Sequence, residues 1–276
     1  MIEIKEVFTK KDSCDFLDLP KRLFANHPNF VCPLDTDIEN TFAPDKNPLF
    51  KNGEAARFLA VDGAGRVVGR VAVFIDRRMV GTFDCPTGGM GFFDCWEDEK
   101  TAFRLFETCQ NWLTERGMEA MNGPINFGEN HRFWGLYRSG DSPPVFGYFY
   151  HPPYYRAFFE NYGFREYFNQ EFMCADIRNF DFVERVVPGY ESLMADKDFS
   201  CKHIGEVGEA QFTADFCAVY NRAWAIHTHF VPMQPSRFSS MLKKLKPVFD
   251  EELFWIAYHA DRPIGIYLML RDLNPF

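Results

Sequence analysis

The sequence lacks a CxxC pair, a block of lysine and arginine, and any run of about 18 uncharged apolar residues. Each absence excludes a class of protein. The eight cysteines (Cys14, Cys32, Cys85, Cys95, Cys109, Cys174, Cys201 and Cys217) are scattered. That scatter reads as reduced core thiols rather than a disulfide framework or a zinc ribbon. Acidic residues outnumber basic ones by 39 to 30, so a nucleic-acid partner is not expected. The first residues, MIEIKEVFTKKD, contain no apolar signal core, so no secretion, no membrane partner and a cytoplasmic location are expected. His227 and His229 are two residues apart with no third ligand nearby in sequence, and no metal site is expected.

What the chain has is apolar and aromatic mass. Of 276 residues, 46% are hydrophobic and 32 are phenylalanine, enough for packed cores in more than one domain. Residues 2–8 read as a strand. Asp12 or Ser13 caps a helix that runs toward Asn26 and is strained at Pro20. A Pro/Asn/Asp-rich loop is predicted over 28–53. FLAVD and VVGRVAVFI, joined through Gly63-Ala64-Gly65, read as a hairpin, and GGMGFFDCW as a further strand.

From Asp98 to Arg116, Ala102, Leu105, Phe106, Cys109, Trp112 and Leu113 recur at helical spacing, with Gly117 placed to end the helix. A short strand over Met121–Asn126 precedes a long Gly/Pro-rich aromatic segment from Phe127 to Tyr150. Pro153 then opens a helix that Gly163 closes, and 164–177 reads as a strand. This order predicts an α/β fold, a mixed sheet with helices on its faces.

After a connector over 179–202 the pattern restarts. Phe212, Phe216, Val219, Tyr220 and Ala223 mark one helix, and Phe238, Met241, Leu242, Leu245 and Phe249 a second that begins at Pro235. The strands LFWIAYH and IGIYLML follow. Ala25–Val31 matches Ala225–Val231 at four of seven positions with an offset of 200, which indicates an internal duplication. The predicted units are 1–178 and 203–276, the second incomplete, with an exposed sheet edge that suggests a longer natural polypeptide.

ETCQNWLTERGMEAMNGPI and PYYRAFFENYGFRE resemble the helix–strand–helix segment of the GNAT (GCN5-related N-acetyltransferase-like) superfamily. With the duplication, the whole chain resembles bacterial proteins of two GNAT-like units. The resemblance implies N-acyl transfer from acyl-CoA or acetyl-CoA to a small-molecule or peptide amine in the complete protein. A non-enzymatic ligand-binding or interaction protein is the alternative, since fold alone does not fix function. Tandem GNAT-like proteins that use aminoacyl-tRNA supply a third reading, which the acidic balance disfavours.

The superfamily's pyrophosphate loop would fall on Glu97–Ala102. There Glu97, Asp98 and Glu99 stand where backbone N–H donors and positive charge are required. Like charges a few ångströms apart repel by about 1 kcal/mol even in water-like dielectric, and these acids are better read as caps of the following helix. The tyrosine that serves as general acid in many members corresponds to Phe159. The first unit is therefore expected to be catalytically degenerate, and this chain is not expected to bind acetyl-CoA tightly.

The most functional-looking stretch is Asn126, Glu129, Asn130, His131, Arg132 and Trp134, on a long loop following a strand, where open α/β sheets bind ligands. Glu129 is the candidate base. Asn126, Asn130, His131, Arg132 and Trp134 are candidate substrate contacts, with Arg132 and Trp134 expected to face a cleft.

Overall fold

The computed structural model describes residues 1–127, 132–140, 143–176, 178, 180–227 and 230–274. It divides into two compact units: Met1–Tyr167 with Asp272–Phe276, and Phe168–Arg271.

The first unit is built on a five-stranded sheet in the order β1 (Glu3–Glu6), β2 (Gly53–Val61), β3 (Val67–Asp76), β4 (Thr87–Cys95), β5 (Ala120–Asn122). The first three junctions are antiparallel and β4–β5 is parallel, so the sheet is mixed. The β2–β3 hairpin turns at Gly65, whose φ of 78° suits a residue without a side chain.

Helices cover both faces because the inner strands alternate their apolar sets. Val71, Val73 and Ile75 of β3 pack with Leu105, Phe106 and Leu113 of α3 (Glu99–Thr114) and with Tyr155 and Phe159 of α4 (Tyr154–Tyr162). Leu59 and Ala72 pack on the other face with Phe16 and Leu19 of α1 (Lys10–Leu23) and Ile38 of α2 (Asp35–Phe42).

Helix α1 starts earlier than the sequence suggested. Thr9 is the N-cap and Asp12 completes a capping box, each side chain bonding the other residue's N–H at 3.1 and 3.0 Å. Pro20 is accommodated inside the helix. Helix α2 interrupts the segment predicted as loop; only Ile38 of its eight residues is buried, which left little periodic signal. Helix α3 is capped by Asp98, and Gly163 takes the left-handed position after α4 (φ 113°), both as predicted.

The second unit has a three-stranded antiparallel sheet, β6 (Phe199–His203), β7 (Phe254–His259) and β8 (Arg262–Leu268), in that order. Phe254, Ile256 and Tyr258 alternate inward against Phe212 and Phe216 of α7 (Glu209–Trp224) and Phe238 and Leu242 of α8 (Pro235–Leu245). The short α6 (Ile204–Val207) precedes α7.

Two expectations are corrected. Residues 164–176 form no strand; Tyr167, Phe168, Phe172 and Met173 are exposed, and no strand edge pairs with the segment among the described residues. The predicted connector carries α5 (Phe180–Met194) and most of β6.

The duplication is visible in the backbone. The turn after α1 is closed by His27 N–H to Phe24 C=O (2.9 Å) and Phe30 N–H to His27 C=O (3.1 Å). After α7, His227 N–H meets Trp224 C=O at 3.0 Å and Phe230 N–H meets His227 C=O at 3.3 Å. A helix starting at Asp35 or Pro235 and an antiparallel hairpin follow in each unit. The architecture is α/β, two helix-flanked sheets consistent with a duplicated GNAT-like fold.

Candidate functional site

Strand β4 is buried at all nine positions, yet its partner β5 pairs only from Thr87 to Gly89. One further bond, Ile125 N–H to Met90 C=O at 2.8 Å, ends the ladder. Gly91 keeps the departure tight, because a Cβ there would collide with the backbone carbonyl of Ile125. Phe92 follows with φ 51° at a bulge in the β3–β4 ladder, and the bulge sends Phe92 into the α1/α2 core while Phe93 enters the α3/α4 core.

The freed end of β4 is satisfied by two tyrosines from the start of α4. The Tyr155 hydroxyl accepts from Cys95 N–H at 2.8 Å and donates to Asp94 at 3.2 Å; the Tyr154 hydroxyl donates to Cys95 C=O at 3.1 Å. Asp94 also accepts from Arg70 Nε at 2.8 Å, and Arg70 Nη1 donates to Phe16 C=O at 2.7 Å. Arg70 Nη2 lies 2.6 Å from Asp94 Oδ2 but makes no directed hydrogen bond, so that contact is Coulombic. Arg70 is 0% exposed, and its guanidinium lies over the Phe16 ring.

Burial raises the Asp94 carboxyl above its ordinary pKa, with Arg70 opposing. Burial likewise pushes the Cys95 thiol and the Tyr155 phenol upward. The thiol stays protonated at neutral pH and is no nucleophile. This is a structural network at the end of the strand.

Beside it lies a cavity of ≈ 440 Å³, of a size that takes small organic ligands. It is lined by the last turn of α1 and the turn after it (Arg22, Leu23, Phe24, Ala25, Asn26, His27), by Trp96, and by Tyr150, Pro152 and Tyr154. His27 Nε2 is 2.6 Å from the Tyr150 hydroxyl and its ring is tilted over Tyr150, 4.1 Å between centroids. His27 Nδ1 accepts from Asn29 N–H at 3.3 Å, which leaves Nε2 as the protonated nitrogen and donor to Tyr150. Behind the site, His151 is buried, accepts from Tyr137 N–H at 3.1 Å, and is held neutral by desolvation, its pKa lowered to about 4.

The residues singled out from sequence are placed differently. Glu129, Asn130 and His131 lie outside the described residues. Asn126 is buried and its Oδ1 has no partner among the described residues. Arg132 is ion-paired with Asp37 and faces the Phe133 and Phe146 rings; it lines a recess of ≈ 20 Å³ with Val31, Cys32 and Leu34. That volume is about the room one water needs. Trp134 is half-buried and lines neither this recess nor the cavity.

At α3 Asp98 acts as the cap. Asp98 accepts from Lys100 N–H and Thr101 Oγ1, and Glu99 from Asn161 Nδ2 at 2.7 Å. The Lys100 amide at the start of α3 is therefore taken by the Asp98 carboxylate, and a carboxylate at that position does not fit a pyrophosphate. Phe159 is packed against Phe93, Phe106 and Phe164. Sequence reasoning missed the cavity; its only signals were Trp96 directly after a buried strand and two tyrosines after Pro152-Pro153.

No protein-family model matches the chain. It is 28% identical over 264 residues to the bacterial ceramide synthase of Caulobacter vibrioides, covering 94% of this chain and 67% of that protein. It is 23% identical over 273 residues to Protein YghO of Escherichia coli K12, covering 98% and 68%. The chain thus spans about two thirds of the length of these curated relatives. Among solved structures, it resembles a tandem GNAT protein from the clavulanic acid biosynthesis pathway at TM-score 0.49 and 11% identity, covering 98% of this chain and 76% of that one. A GCN5-related glucosamine N-acetyltransferase region of a fungal β-N-acetylglucosaminidase gives 0.47 and 13%, covering 96% and 27%. No helix among the described residues is long and apolar enough to cross a membrane.

Proposed function

We propose that this chain belongs to an N-acyltransferase that moves an acyl group from acyl-CoA to the amino group of a long-chain amine. The observation that carries this reading is the 28% identity, sustained over 94% of the chain, to a protein described as a bacterial ceramide synthase. A ceramide carries an amide on a long-chain amino alcohol. In the transfer the amine nitrogen bonds to the thioester carbonyl carbon, the C–S bond breaks, and the amine proton passes to the departing sulfur. Glu129 is the proposed base, with Asn126, Asn130, His131, Arg132 and Trp134 as proposed substrate contacts. The carboxylates at the start of α3 support a reading in which the donor's phosphates are held elsewhere than on this helix and the first unit contributes to substrate binding.

A second reading, a ligand-binding protein without chemistry, is favoured by the burial of Phe159 where a proton donor would stand. One experiment separates them. The chain, and the polypeptide of its native reading frame, are incubated with long-chain acyl-CoA and either a long-chain amino alcohol or ethanolamine. Thiol release and amide mass are then read together. Amide formed only with the long-chain acceptor and lost in Glu129→Gln supports transfer. Acceptor binding without thiol release supports the second reading.

A further inference from the structure

We infer that the cavity formed by the end of α1, Trp96 and the Tyr150–Tyr154 segment binds an amphiphilic organic anion, a carboxylate or phosphate joined to an apolar body. The first observation is the charge of its wall. Arg22 lines the cavity and no carboxylate does. Among the twelve arginines of Met1–Tyr167, ten are ion-paired with a carboxylate: 57, 66, 70, 77, 78, 104, 116, 132, 138 and 156. Arg22 is not paired with any among the described residues; its one bond is a long 3.4 Å contact from Nη2 to Val67 C=O. Within Met1–Tyr167 an arginine without a carboxylate partner among the described residues is thus the exception.

The second observation is the hydrogen-bonding sense of the other groups. His27 donates to the Tyr150 oxygen, which leaves the Tyr150 proton with no acceptor among the described residues. The Trp96 indole carries only a donor and is 48% exposed. The Tyr154 hydroxyl is already spent on Cys95 C=O. The free side-chain donors are therefore a guanidinium, a phenol proton and an indole N–H; the acceptors, the Asn26 amide oxygen and the Tyr154 oxygen, are neutral, so the one charged group on the wall is a cation. That set fits an anion and repels an ammonium. Leu23, Phe24, Pro152 and the tyrosine rings supply the apolar walls for the rest of the ligand.

The inference is independent of acyl transfer: an anion bound here without any thiol release leaves it standing, and thiol release without anion binding does not rescue it. The test is calorimetric titration of the whole chain, below micelle concentrations, with dodecyl phosphate, dodecanoate and dodecylammonium. Saturable binding of either anion that depends on Arg22 is expected, whereas any binding of the cation, as at a separate acceptor site, should not depend on Arg22. The two anions show whether phosphate or carboxylate is preferred. Arg22→Ala should weaken the anion by about tenfold or more, as expected for a hydrogen bond to a charged group. Tyr150→Phe should weaken it by less while keeping the ring. Arg165 is the other arginine of the unit without a carboxylate partner among the described residues and does not line the cavity, so Arg165→Ala should leave binding unchanged. Dodecylammonium binding weakened as much as anion binding by Arg22→Ala, equal losses of anion binding in Arg22→Ala and Arg165→Ala, or unchanged anion binding in Arg22→Ala with wild-type circular dichroism would each overturn the assignment.

Discussion

Asp94→Asn should destabilise the first unit far more than its small change in shape suggests. Arg70 is fully buried and its charge is balanced by Asp94 alone; the other bonded partner, Phe16 C=O, is neutral. Removing one member of a buried pair costs about 3–5 kcal/mol because the other charge stays desolvated. An asparagine still offers a carbonyl to Arg70 Nε, so the lower figure, about 3 kcal/mol, is expected. Native domains are stable by about 5–15 kcal/mol, so this is a large share. With urea slopes of about 1–3 kcal/mol per molar, the midpoint should fall by about 1–3 M.

Urea unfolding followed by tryptophan fluorescence measures it. Trp96, Trp112 and Trp134 report on the first unit once Trp224 and Trp255, in the second, are replaced by Phe. The double change Arg70→Met with Asp94→Leu removes both charges and should recover most of the loss, because a well-packed apolar pair is often as stable as a buried ion pair. A midpoint shift under about 0.5 M for Asp94→Asn, or a double variant weaker than both singles, would refute the reasoning.

The other predictions concern burial, packing and charge. Desolvation lowers the His151 pKa to about 4, below an unfolded value of about 6.5; the unfolded chain thus binds the extra proton first, and stability present above about pH 6.5 is lost as pH falls to about 4. His151→Gln should flatten the stability–pH curve in that window by roughly 3 kcal/mol, and an unaltered slope in acid titrations would count against a buried neutral imidazole. Gly91→Ala should cost roughly 1–3 kcal/mol or more, read as a lower thermal midpoint, because its Cβ meets the Ile125 carbonyl rather than a flexible side chain. Acetyl-CoA titrated into the 276-residue chain should bind at about millimolar or weaker, since Asp98 takes the Lys100 amide and the Thr101 hydroxyl at the start of α3; saturable micromolar binding would show that the phosphates find donors elsewhere in the chain.

Much of the fold was legible because local signals agreed with tertiary ones. The β2–β3 hairpin showed β-branched runs around Gly65, and α3 showed an apolar stripe, an Asp98 cap and a terminal Gly117. Helix α2 was not legible: a single buried residue, Ile38, gives no period, and its Pro/Asn/Asp-rich surroundings read as loop. The opposite error arose at 164–176, part of a segment, 164–177, that read as a strand. Period alone does not supply a partner edge, and Phe168, Phe172 and Met173 remain exposed.

The site was less legible because its walls come from three segments far apart in sequence, and because the repeat that marked His27 hid what makes it distinctive. His27 and His227 occupy the same turn with the same backbone bonds. The imidazole of His227 stacks on Trp224, three residues earlier in its own chain segment, at 4.8 Å. His27 instead lies over Tyr150, 123 residues away, and bonds its hydroxyl. Tyr150, Trp96 and Tyr154 belong to the part of the first unit, beyond its hairpin, that has no counterpart among the described residues of the second. The duplication thus supplied a turn that presents a histidine, and the added β4, α3 and α4 supplied the rings that turn it into a cavity wall. Similarity between the repeats points to the turn; only the unmatched half of the first unit identifies which copy carries a binding site.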